Sequence, residues 1–107
     1  MRIPKRFRLY GHVIEVVDEP LLDSRHGNIG EARYTRNEIA LQPECVSFSR
    51  PDTYREQVFC HELVHWILHE MFENELRSNE KFVDNFASLL HQAFTSMEFE
   101  EIPGGEK

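Results

Sequence analysis

The chain has 107 residues, a formal net charge of −7, and 40% hydrophobic and 29% charged residues. That length suits one domain with a thin core, and the acidic balance argues against a nucleic-acid backbone as partner. No stretch approaches the roughly 18 apolar residues of a membrane span, and the basic start (Arg2, Lys5, Arg6, Arg8) leads into no apolar run, so neither a membrane anchor nor a signal peptide is expected. The cytoplasm is the expected compartment, with Cys45 and Cys60 as reduced thiols.

In chain order, residues 6 to 50 carry strand signals. Arg6 to Tyr10 and His12 to Val17 flank Gly11, and the second run is rich in β-branched residues, which predicts a hairpin turning near Gly11. Asp18 to Gly30 holds Pro20, Gly27, Asn28 and Gly30 and reads mostly as loop. Glu31 to Arg36 and Glu38 to Gln42, separated at Asn37, predict a second hairpin, with Glu38 to Gln42 as the rim of any cleft. Pro43 to Pro51 is a connection.

Residues 52 to 97 carry helix signals. Asp52 or Thr53 is positioned to cap a helix running to about Glu73, and Thr53 with Glu56 three residues on forms a potential capping box. Val58, Phe59, Leu63, Trp66, Ile67 and Met71 form its apolar stripe. Asn74 to Asn79 reads as a turn. Ser78 or Asn79 then caps a second helix to about Ser96, with Phe82, Val83, Phe86, Leu89, Leu90, Ala93 and Phe94 as its apolar side. The fold class expected is α+β: a small antiparallel or mixed N-terminal sheet followed by two helices, in a single domain over residues 1–97. Residues 98–107 form an acidic tail expected to be mobile.

Within the first helix stands His61-Glu62-Leu63-Val64-His65. Residues four apart share a helix face, so His61 and His65 can offer two imidazole nitrogens to one Zn²⁺. Glu62 lies about 100° round the helix, where it can reach a water on the metal and act as general base. A catalytic zinc takes three protein ligands. Glu80 on the second helix is the preferred third, and Asp84, one turn on, is placed to hold the outer N–H of a ligand histidine. His69 would be a third nitrogen along one straight helix, which cannot readily converge on the same ion, so it is assigned to the pocket wall. His91, three turns beyond Glu80, is assigned to packing or surface, and Cys60 to packing.

The run His61 to His69, followed by Asn79 to Leu90, resembles the gluzincin metallopeptidases. Within them it is most similar to small ImmA/IrrE-type and minigluzincin-like proteins, many of them encoded by phages and mobile elements. In that group the second zinc helix reads E-x-x-A-N-x-F-A-x-x-L. Glu80, Phe86, Ala87 and Leu90 stand in step with it, while Val83 replaces the Ala and Asp84 the Asn. The Asp brings the chain closer to a thermolysin-like E-x-x-x-D variant, where the Asp supports a ligand histidine. The resemblance covers roughly residues 56 to 94 and implies a zincin-like fold, one Zn²⁺ per chain, and endopeptidase activity on protein or peptide substrates. Larger members stabilise the oxyanion with a Tyr or His from a downstream subdomain; here Tyr34, Tyr54, Tyr10 and Arg33 are the candidates.

Three rival readings accompany this one. Zinc could chiefly join two helices of a regulatory or binding protein with little hydrolysis. The Glu98 to Glu101 segment could fold back onto the metal and hold the enzyme latent. A deformylase-like site would recruit Cys45 as ligand, but the glycine-rich motif that should accompany it is absent.

Overall fold

The computed structural model describes residues 1–22, 29–43 and 52–100. Four strands form one sheet: β1 (Arg6–Leu9), β2 (His12–Asp18), β3 (Gly30–Arg33) and β4 (Glu38–Leu41). Their order is β1-β2-β4-β3. β1 runs antiparallel to β2, β2 parallel to β4, and β3 antiparallel to β4. Helices α1 (Asp52–Glu70), α2 (Asn74–Arg77) and α3 (Glu80–Ser96) follow. The protein is α+β with a mixed sheet before its helices.

The first hairpin forms as its sequence predicts. Leu9 pairs with His12 across the two-residue turn Tyr10-Gly11, and both turn residues have positive φ, 56° and 109°. That is the primed turn whose twist matches paired strands. The second hairpin differs from expectation. β3 stops at Arg33, and a 3-10 turn over Tyr34–Arg36 leads to Asn37 in the left-handed region before β4 begins. The side chain of Arg33 explains the tight return. It gathers Glu31 at 2.7 Å, Glu38 at 3.3 Å and Glu19 at 3.4 Å, which ties β3 to β4. β4 lies inside the sheet between β2 and β3, so Glu38 to Gln42 cannot be a rim. β3 is the edge strand beside it, with β1 at the other edge.

α1 touches both the sheet and α3 and is covered on two sides. Phe59, Cys60, Val64, Trp66 and Leu68 are all buried, together with Ile14, Ile39 and Leu41 of the sheet and Val83 and Ala87 of α3. Trp66 Nε1 donates to the Glu38 carbonyl at 2.9 Å, and Phe59 meets Phe7 edge-on. Both contacts fix α1 against the sheet; burying the Trp is compatible with its N–H only because a partner is in reach.

Helix limits depart from expectation in two places. Thr53 falls inside α1 and not at its cap, and Glu56 turns instead to His91, whose Nε2 lies 2.8 Å from its Oε1. α1 also ends at Glu70, three residues early. Phe72 takes φ 60°, Glu73 N–H donates to the Leu68 carbonyl and Phe72 N–H to the His69 carbonyl, the pattern of a Schellman cap. A non-glycine residue in this conformation costs about 1–2 kcal/mol. The interval read as a plain turn contains α2, and Asn79 caps α3 by accepting from Phe82 N–H.

The apolar side expected for α3 holds only in part: Val83 is buried and Phe82 and Leu90 pack against the core, but the others do not. The stripe facing α1 is Val83, Ala87 and His91. Phe86 and Leu89 remain 45% and 67% exposed, as does much of Phe94. Met71, expected in the stripe of α1, is likewise exposed. No helix among the described residues is long and apolar enough to cross a membrane.

Candidate metal centre

α1 and α3 cross so that the three predicted ligands meet. His61 Nε2 and His65 Nε2 are 3.2 Å apart. Glu80 reaches across from the first turn of α3, its Oε1 3.2 Å from His61 Nε2 and its Oε2 3.4 Å from His65 Nε2. With metal–ligand bonds near 2.0–2.1 Å, two ligands of a tetrahedral ion stand roughly 3.3 Å apart. Each separation is near that edge length, with one Glu80 oxygen facing each imidazole, and one donor atom from each residue lies within 4.8 Å of the other two. His61, His65 and Glu80 form, among the described residues, a group able to hold a metal ion.

The chemistry of the donors agrees with the spacing. Asp84 Oδ1 lies 2.8 Å from His61 Nδ1, which favours the proton on that nitrogen and leaves Nε2 with its lone pair. His65 interacts with the Arg77 backbone in the sense that favours its charged form, as an imidazole donating to a carbonyl does. Its pKa is nonetheless held below the usual histidine range, first by burial and then by the neighbouring His61. Two imidazoles and a carboxylate facing one point is an arrangement that a cation stabilises. An N,N,O donor set of this kind suits a first-row divalent ion.

Glu62 lies beside this group and is only 8% exposed. Burial pushes its carboxyl up to about 8, with the Glu80 and Glu31 carboxylates adding to the rise and a hydrogen bond to the Ala32 backbone opposing it. Gly30 makes the room. A Cβ at Gly30 would stand 2.4 Å from Val58 Cγ1 and 3.2 Å from Glu62 Oε2. β3 therefore packs directly over α1 because its first residue is glycine.

Two cavities flank the ligands, and both are bordered by Gly30, His61 and Glu62. One, of about 330 Å³, adds Tyr54, Gln57, Val58, Asp84 and Ala87 among its lining. The other, of about 530 Å³, adds Glu31, Ala32, Tyr34, His65, Arg77 and Glu80. Tyr34 thus lines the cavity that all three candidate ligands border, and Tyr54 the one bordered by His61. Arg77 hydrogen-bonds the Tyr34 side chain, and burial holds the Tyr34 phenol above its ordinary pKa. The Arg77 guanidinium also sits 5.1 Å from the Tyr34 ring centroid.

Other predicted residues lie elsewhere. His69 stacks on Tyr34 with ring centroids 4.1 Å apart and touches Trp66 edge-on, so it packs behind Tyr34 and borders neither metal cavity. Arg33 is committed to its three carboxylates. Tyr10 stands at the hairpin tip. His91 is a buried strut between α3 and α1. Cys60 packs in the core, and burial raises its thiol pKa to about 11. Cys45 and Glu101 lie outside the described residues; Glu98 and Glu100 are exposed and join no metal-binding group. Gly30, Ala32 and Arg77 border the site without having been picked out by any motif. Gly30 falls in a segment that reads as loop and Arg77 in one that reads as turn, and only the packing of β3 and α2 against α1 brings them in.

Comparison with protein families, with curated proteins and with solved structures finds no match to this chain.

Proposed function

We propose that this protein is a zinc-dependent metallopeptidase of the gluzincin type, cleaving peptide bonds in protein or peptide substrates. The observation that carries the reading is the meeting of His61, His65 and Glu80, with donor atoms within 4.8 Å of one another, beside a buried carboxylate. A bound Zn²⁺ would supply Lewis-acid activation of a water and of the substrate carbonyl. Glu62 would take the proton from that water and pass it to the leaving amine. Its raised pKa in the metal-free chain suits a group that must hold a proton between those steps, and a cation alongside would draw that pKa down.

The Tyr34 phenol, backed by Arg77, would donate to the developing oxyanion from the wall of the larger cavity. Tyr54 lines the smaller cavity, beside His61 and Glu62, and would contact substrate there. The edge strand β3 would hold an extended substrate by strand addition.

The test is peptide cleavage by zinc-loaded wild type and Glu62→Gln. The reading requires that the variant keep zinc and lose hydrolysis; equal cleavage by both would refute it. A second reading has its own support, since the ligands come from two helices and a metal would cross-link α1 to α3. In that case chelation lowers the melting temperature while neither protein cleaves any peptide.

A further inference from the structure

Three non-glycine residues have positive φ among the described residues: Tyr10 at 56°, Asn37 at 53° and Phe72 at 60°. They come from the hairpin turn, the entry to β4 and the cap of α1, yet all three line one cavity. It measures about 440 Å³, lies on the far side of Tyr34 from the metal group, and is completed by His12, Trp66, His69 and Glu70. Asparagine is at home in the left-handed region; Tyr and Phe are not. Glycine is the residue of choice at a Schellman cap, and asparagine or glycine at the first turn position of such a hairpin. Tyr10 and Phe72 are 84% and 85% exposed, so core packing does not account for them. Strained aromatic residues that stabilise neither their turns nor the core point to a ligand.

The lining indicates its charge. It offers aromatic rings, the imidazoles of His12 and His69, and one carboxylate, Glu70, which is mostly buried and lies 3.8 Å from His12 Nε2. No Lys or Arg borders the cavity, and the chain carries a net charge of −7. Rings with a carboxylate among them favour a cation. The two projecting rings present more apolar surface than one ammonium group can cover. The aliphatic stem of a long basic side chain, with its flanking backbone, would cover the rest.

We propose that this cavity is a docking site for a basic segment of a protein partner, seating one Lys or Arg side chain between Tyr10 and Phe72 with its charge toward Glu70. The site is independent of the metal group, and the proposal does not require that the protein hydrolyse anything.

Trp66 is the sole tryptophan and borders the cavity, so its fluorescence reports occupancy. The probes are acetyl-Gly-Lys-Gly-amide, the Arg counterpart, the norleucine and Glu counterparts, and tetramethylammonium, each titrated into the full chain. The Lys and Arg probes are expected to give a saturable change in Trp66 emission and the norleucine and Glu probes none. Glu70→Gln is expected to weaken binding roughly tenfold. The double variant Tyr10→Asn/Phe72→Gly, whose residues suit the left-handed region, should melt no lower than wild type and bind at least about tenfold more weakly. Norleucine or Glu binding equal to Lys, unchanged binding by the double variant, or no saturable response to any probe overturns the proposal. Tetramethylammonium binding as tightly as the Lys probe would assign the cavity to small free cations instead.

Discussion

Asp84 Oδ1 stands 2.8 Å from His61 Nδ1, on the side of the imidazole remote from the nitrogen that faces His65 and Glu80. One turn of α3 thus brings one carboxylate into the candidate metal group and a second against the outer nitrogen of His61. Asp84 is exposed and its partner His61 only partly buried, so folding should be little affected by its removal. Asp84→Ala is expected to weaken Zn²⁺ binding about 10–100-fold with a melting temperature near that of wild type in chelator. Competition against a zinc-sensitive dye measures the first quantity and thermal denaturation the second.

Gly30 is the contact between β3 and Glu62. With a Cβ only 2.4 Å from Val58 Cγ1, Gly30→Ala must push β3 away from α1. Overpacking of this kind costs about 1–3 kcal/mol, readable by urea denaturation. Activity should fall further than stability does, because the Ala32 backbone that holds Glu62 moves with the strand. A variant with wild-type stability and activity would contradict the tight packing described.

Glu62 makes the stability of the metal-free protein pH-dependent. Its carboxyl is raised from 4.5 to about 8 in the folded chain, so the folded state holds a proton that the unfolded state releases. That contribution is fully present below about pH 4.5 and is lost as pH rises through about 8, by on the order of 5 kcal/mol. Denaturation in chelator across this range should show the decline. Glu62→Gln should flatten it and leave the variant the more stable protein near pH 8.

Much of this was legible in the residues, and the failures have physical causes. His61, His65, Glu80 and Asp84 could be placed because each pair is a fixed helical step, four residues, and helical steps convert directly into geometry. The Tyr10-Gly11 turn was legible through its glycine. The exposed side of α3 was not. Periodicity marks an apolar stripe but not which stripe a neighbour covers, and here α1 takes the narrow one, Val83, Ala87 and His91, leaving Phe86 and Leu89 outside. The early end of α1 was hidden because Phe72 occupies a position where glycine would have announced the cap. His69 reads as a metal-side residue from its spacing alone, yet the stacking of Tyr34 upon it depends on a 3-10 turn that nothing in the local sequence declares.

The ligand set is what every other role depends on, and Glu80 is its member drawn from a different helix. Metal analysis of wild type and Glu80→Ala, each purified, loaded with Zn²⁺ and dialysed, tests it most directly. The account predicts one zinc per wild-type chain and little or none retained by the variant. Equal zinc in both proteins, or none in wild type, would contradict it.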